Sequence, residues 1–186
     1  MLAERSARHG RFTLASGRQS SLYIDARLTT MSPDGLVLIG PMALTTLQQT
    51  GWNVDSVGGL TLGADPVSYA IAYASALAGM NLRAFTVRKE PKTHGTGRLI
   101  EGPFRQGDRV AVVEDVITTG SSALRATEAV RAAGGIVCGV LAVVDREEGG
   151  REAIESAGLP VISLTVASAI TKRMEVAAVE KDRGLD

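Results

Sequence analysis

The run VAVVEDV, residues 110–116, is apolar at four consecutive positions before two carboxylates interrupt it, so a strand built from it has no solvent face. Such a strand needs helices on both sides of its sheet. The rest of the chain supplies them, because short aliphatic or β-branched runs alternate with longer Ala-rich segments, the pattern of βαβ units and a mostly parallel sheet. Strands are expected near 55–60, 83–87, 109–114, 136–144 and 160–165, with helices near 34–50, 66–79, 120–134 and 149–157. Ser32 before Pro33 and Asp65 before Pro66 predict capped helix starts, and Gly51, Gly79, Gly134 and Gly158 predict helix ends. Residues 1–30, with a possible strand at LYID, read as a small cap on the main sheet, and the chain from 166 onward reads as a terminal helix.

Composition narrows the class. A chain of 186 residues that is 45% hydrophobic buries one core, so a single domain over 1–186 is expected. Twenty basic against 20 acidic residues give no global cationic field, which argues against nucleic acid as a partner. Cys138 is the only cysteine and lies in an apolar run; this excludes a disulfide framework and predicts a buried thiol in a reducing compartment. The start, MLAERSARHGRF, has charges where a signal segment needs an apolar core, and no run reaches membrane-spanning length, so a cytoplasmic protein without a membrane partner is expected.

Three segments carry chemistry. In VAVVEDVITTGSS (110–122) a strand ends in Glu114 and Asp115 and passes through Val116, Ile117, Thr118, Thr119, Gly120, Ser121 and Ser122 into a helix. Backbone N–H groups, hydroxyls and the positive end of a helix dipole suit a phosphate dianion. Carboxylates beside it make sense if they accept hydrogen bonds from vicinal hydroxyls of the same ligand, and phosphate plus diol describes a ribose 5-phosphate. The alternative is that the acids merely end a strand and Thr119 or Ser121 merely caps a helix. The loop is neither a Walker loop nor a dinucleotide fingerprint, since it lacks Gly-Lys-Ser/Thr and has one glycine.

The second segment, RKEPKTHGTGR (88–98), sets Arg88, Lys89, Lys92, His94 and Arg98 among glycines, which suits a polyanion and a loop that closes over it; a solvated turn with incidental charge is the alternative. The third is Asp145-Arg146 after the strand GVLAVV, where Arg146 is placed to fork onto a carboxylate, or else is a surface arginine paired with Glu147 or Glu148. Arg88, Glu114-Asp115 and Arg146 would share one sheet edge. His9 and Trp52 read as structural.

These motifs resemble those of the type I phosphoribosyltransferases, and RKEPKTHGTGR together with FTLASGRQSSLYID (12–25) is similar to the orotate phosphoribosyltransferase family over nearly the whole chain. The resemblance implies an α/β fold with a mostly parallel sheet flanked by helices, a small N-terminal cap at 1–30 and a flexible catalytic loop at 88–106. It implies transfer of ribose 5-phosphate from 5-phosphoribosyl 1-diphosphate to orotate, with Mg2+, in a homodimer whose 88–98 loop is shared across subunits. Residue by residue, it implies that Glu114 and Asp115 hold the ribose hydroxyls, 116–122 cradle the 5-phosphate, and Arg88, Lys89, Lys92 and His94 meet the diphosphate. Thr118 and Arg146 would bind orotate, and Lys92, His94 and Asp115 would be catalytic; no protein ligand for the metal is assigned. The chain departs from the family in having Ala15 and Gly63 where many relatives carry lysines, which leaves Gly63, Ala64 and Asp65 a bare diphosphate-side segment. The rivals are a phosphoribosyltransferase for another base, and a regulatory protein that binds the phosphoribosyl donor without turnover.

Overall fold

The computed structural model describes residues 1–13, 19–90 and 99–182. At its centre strand β6 (Arg109–Ile117) sends Val110 and Val112 to one face of the sheet and Ala111 and Val113 to the other, and all four are fully buried. Consecutive strand residues point to opposite faces, so a run apolar at every position is stable only between two helical layers. One layer is α2 (Pro33–Gln49) and α3 (Ala64–Leu77), with Ile39, Leu44, Val67 and Ile71 against the sheet. The other is α4 (Ser121–Ala132) and α5 (Gly150–Ser156), which contribute Ala126, Val130 and Ile154. Each fully buried aliphatic side chain of this kind contributes about 1.5–3 kcal/mol.

The main sheet among the described residues has the order β5-β4-β3-β6-β7-β8, where β3 is Ser56–Leu60, β4 Arg83–Val87, β5 Ile100–Glu101, β7 Ile136–Asp145 and β8 Val161–Val166. All neighbours are parallel except the edge pair β4–β5. From β3 the chain moves outward to β4, then returns to the opposite side of β3 as β6. That reversal opens a crevice beyond the carboxyl ends of β3 and β6, the place where ligands bind in open α/β sheets.

The N-terminal region is a π-helical turn (Leu2–Ser6), an antiparallel ribbon of β1 (Ala7–Thr13) and β2 (Gln19–Ile24), and the short α1 (Arg27–Thr30). Ala7, Leu22 and Ile24 anchor it in the core cluster on the α2–α3 side. The terminal helix α6 spans Ala167–Asp182.

Five expected strands and four expected helices are present with ends shifted by at most a few residues. Ser32 caps α2 by accepting from the Gly35 N–H at 3.1 Å, and the four end glycines all have positive φ. Asp65 differs from expectation. Its carboxylate is taken by the Thr61 and Thr86 hydroxyls, so α3 begins at Ala64 with Asp65 inside its first turn. Pro66 is tolerated there because first-turn N–H groups have no intrahelical acceptor. Cys138 also differs, being half-buried near the start of β7, where the strand emerges from the core. His9 is exposed on β1, while Trp52 packs against Gly139.

Candidate active site

The alternation along β6 continues into its acids. Glu114 follows Val112 toward the α4 face and is only 6% exposed, whereas Asp115 follows Val113 toward the α3 face. Beyond Ile117 the chain turns through Thr118 and Thr119 to Gly120, whose φ of +78° favours a residue without Cβ, and enters α4. Gly120 stands at the N-cap and has no side-chain oxygen to offer, and Thr119 Oγ1 pairs with Ser121 Oγ at 3.1 Å. The expected alternative of a Thr119 or Ser121 cap therefore fails. Glu114, Val116, Ile117 and residues 118–122 instead line a cavity of about 60 Å³ at the uncapped start of α4. The loop is braced from behind: a Cβ at Gly120 would lie 2.7 Å from the Gly150 carbonyl oxygen at the head of α5.

Burial pushes the Glu114 carboxyl up to about 8, with the neighbouring Asp115 charge and hydrogen bonding to it adding to the rise. Glu114 is thus mostly protonated at neutral pH in the ligand-free protein. A neutral carboxyl both donates and accepts, and it does not repel an anion in the adjoining cavity. Asp115 is also raised by burial, opposed by hydrogen bonding to backbone N–H groups and by the charge of Arg27. Its Oδ1 accepts from the Val116 N–H at 2.9 Å.

On that second face Asp115 meets the turn after β3. A Cβ on Gly63 would come within 2.4 Å of Asp115 Oδ1, so a side chain there displaces the carboxylate. The bare glycine in the segment 63–65 is therefore a steric match to Asp115. The Thr61–Leu62 peptide in the same turn is cis.

A second cleft, of about 580 Å³, opens beyond β3 and β4 and is lined by Thr61, Asp65, Tyr69, Thr86, Arg88 and Lys89 among others. The Arg88 guanidinium donates to the Glu90 carbonyl at 3.3 Å and lies 3.8 Å from Glu101, leaving it half-solvated. Lys89 is exposed, and its carbonyl accepts from Arg125 of α4. Lys92, His94, Arg98 and Ala15 lie outside the described residues.

Arg146 follows β7 on the same sheet edge. It is not a surface arginine: 7% exposed, it donates to Glu148 Oε1 at 2.6 and 3.1 Å, to Ser20 Oγ at 3.1 Å and to the Leu22 carbonyl at 3.0 Å. The expected pairing with Glu148 is thus present, but inside a buried clasp that ties the N-terminal ribbon to the sheet. The preceding Asp145 is engaged elsewhere, accepting from Arg151 at 2.7 Å and from the Glu147 N–H at 2.8 Å. Glu147 itself, at φ +57°, accepts from the N–H and hydroxyl of Ser168 at the start of α6.

The structure therefore brings Glu114 and 116–122 into one cavity, and sets Asp115 against Gly63 at the switch point. Arg88 and Lys89 lie two strands to one side of β6, and Arg146 one strand to the other. With neighbouring strands about 4.8 Å apart, these groups span roughly 14 Å of one edge. Sequence reasoning missed Thr86 and Ser20. The first sits mid-pattern in a strand, and the second acts only through a tertiary contact with Arg146, distant in the chain.

An orotate phosphoribosyltransferase of Aquifex aeolicus is 53% identical to this chain over 153 residues, which is 82% of either protein. The chain belongs to the orotate phosphoribosyltransferase family. Among solved structures, Mycobacterium tuberculosis orotate phosphoribosyltransferase in complex with Fe(III) dicitrate superposes with a TM-score of 0.78 at 47% identity, covering 91% of this chain and 94% of that one. The same enzyme in complex with 5-phospho-alpha-D-ribosyl 1-diphosphate gives a TM-score of 0.69 at 45% identity, covering 79% and 82%. No family model matches. The α/β architecture with its mostly parallel sheet is the fold of this phosphoribosyltransferase family, as the resemblance implied.

The raised Glu114 pKa makes stability depend on pH in this family member. The folded state holds a proton that the unfolded chain releases near 4.5, so the contribution is complete below that pH and fades as pH rises through about 8. Thermal or urea unfolding of ligand-free protein is expected to show stability falling by on the order of a few kcal/mol between pH 5 and 9. Glu114→Gln should flatten that slope; parallel curves for the two proteins would refute it.

Proposed function

We propose that this chain transfers the ribose 5-phosphate group of 5-phosphoribosyl 1-diphosphate to orotate, giving orotidine 5′-monophosphate and diphosphate in pyrimidine biosynthesis. Family membership gives the reaction. The observation that carries the site is the uncapped start of α4 facing a cavity of about 60 Å³ beside a buried, largely neutral Glu114. In this reading Val116–Ser122 hold the 5-phosphate with backbone N–H groups and hydroxyls, and Glu114 and Asp115 hold the ribose hydroxyls.

Cleavage of the C1–O bond develops positive charge on the ribose and negative charge on the departing diphosphate. Asp115, on the opposite face of β6 from Glu114, stabilises the former when ionised. Arg88, Lys89, Lys92 and His94 meet the latter, Lys92 and His94 being the catalytic cations. Thr118 and Arg146 receive orotate, the arginine facing its carboxylate in place of Glu148. Residues 1–186 act as one domain, with 1–30 as its cap; of the expected 88–106 loop, Ile100–Glu101 are held to β4 as β5, so the part ahead of β5 is the loop that closes and excludes water.

Magnesium fits this donor set. Among the described residues no three His, Cys, Asp or Glu side chains converge, and Mg2+ bound through substrate phosphates, waters and one or two carboxylates needs no such cage. In this reading Asp115 would be the carboxylate that holds it from the protein side. When bound, the ion neutralises charge building on the diphosphate.

A homodimer is supported by an apolar face that the described residues leave open. On α3, Tyr69, Tyr73 and Leu77 recur every four residues and are 53%, 69% and 73% exposed; Val37, Leu38 and Met42 extend the patch onto α2. A second copy is the occupant proposed, since the patch borders the Arg88–Lys89 cleft and would bring a partner's 88–98 segment to it. No described helix is long and apolar enough to cross a membrane, and the single cysteine supports a reducing, cytoplasmic setting.

Diphosphate release from the donor with magnesium should be rapid with orotate and negligible with uracil, hypoxanthine, adenine or no base. Turnover with another base would overturn the acceptor, and donor binding without turnover would favour the regulatory reading. Gly63→Ala should raise KM for the donor or lower kcat by roughly tenfold through displacement of Asp115; wild-type kinetics would dismiss the steric match. Sedimentation should show a dimer that Tyr73→Glu converts to monomer, and a wild-type monomer at micromolar concentration would remove the subunit proposal.

A further inference from the structure

We infer that Asp65, Thr86 and Tyr69 form a positioning chain that fixes the 61–65 turn for the diphosphate and ends on the face proposed for the second subunit. The Thr61 hydroxyl donates to Asp65 Oδ2 at 2.6 Å, and the Thr86 hydroxyl donates to Oδ1 at 2.8 Å. Thr86 has one proton, already given to Asp65, so its 2.8 Å contact with the Tyr69 hydroxyl has Tyr69 as donor. The direction Tyr69 to Thr86 to Asp65, with Thr61 donating from the other side, follows from the count of hydroxyl protons.

The chain adds side-chain hydrogen bonds between three elements: α3, strand β4 and the turn after β3. It lines the cleft that holds Arg88 and Lys89. The turn it anchors contains Gly63, which admits no side chain because Asp115 fills the space a Cβ would need. A turn without a side chain at that position acts on a polyanion through its backbone N–H groups, and those are useful only when the backbone is held still. Asp65 supplies that restraint by clamping Thr61 and the head of α3 with charge-assisted hydrogen bonds. Tyr69 is half-exposed on the apolar stripe, so a second subunit covering that stripe would dry and strengthen the chain.

This inference rests on the proposed reaction, and calorimetric titration with magnesium diphosphate separates the two. Thr86→Val keeps the shape and strand preference of the residue but deletes the hydroxyl. It should weaken diphosphate binding and raise the donor KM by roughly five- to tenfold, with the orotate KM unchanged. Thr86→Ser should restore both to within about twofold, which a packing role would not predict. Tyr69→Phe should act in the same direction by about two- to fivefold. Unaltered diphosphate binding by Thr86→Val would overturn the chain, as would equal shifts in both substrates' KM. A changed magnesium dependence in Asp65→Asn would also overturn it, because Asp65 would then touch the metal. Weakened diphosphate binding in a protein that does not turn over orotate would uphold the chain and sink the reaction.

Discussion

Glu114 is a carboxyl carried into the interior by a strand that has no solvent face. An ionised acid in that position costs several kcal/mol in lost hydration, so it keeps its proton to about pH 8. One turn away α4 begins without a side-chain cap. The dipole of that helix favours the ionised form of a nearby acid, yet burial prevails, so the site retains a protonated carboxyl and unclaimed N–H donors side by side. A ligand bearing both a phosphate and hydroxyls answers the two at once. The pairing exists because β6 is buried on both faces and runs on through Asp115 to Ile117 before turning.

The crevice gathers its other groups by topology. Reversal of strand order between β3 and β6 places the turn after β3 against Asp115, while β4 and β7 carry Arg88 and Arg146 to the same edge. No two of these residue groups are adjacent in the chain except through the sheet. Parallel strands deliver their carboxyl ends together, so one edge collects loops from elements spread over some ninety residues.

Much of this was readable in the sequence because it rests on local rules. The central strand, its acids and the Thr-Gly-Ser turn are contiguous, and β6, α4 and the end glycines fall where pattern and φ preference put them. Asp65 misled because Asp-Pro is a capping signature, and only the fold brings the Thr86 hydroxyl from β4 to compete for its carboxylate. Arg146 showed its place and its pairing with Glu148 but not its other partners, since Ser20 and Leu22 are more than 120 residues away. The exposed apolar stripe on α3 was not legible, because an Ala-rich helix that is apolar on two sides gives no clue as to which side the sheet will take.

The buried clasp at Arg146 has an evolutionary consequence. One guanidinium holds the N-terminal ribbon through Ser20 and Leu22 and is also gripped by Glu148, and in the proposed reaction the same group meets orotate. Replacing it to admit a different base would at the same stroke remove the hydrogen bonds that fasten β2 to the sheet and the ion pair with Glu148. If Arg146 is the group that meets the acceptor, a change of base at that position would also demand changes in the ribbon that make the arginine dispensable, tying the divergence of specificity to an N-terminal hairpin outside the catalytic loops.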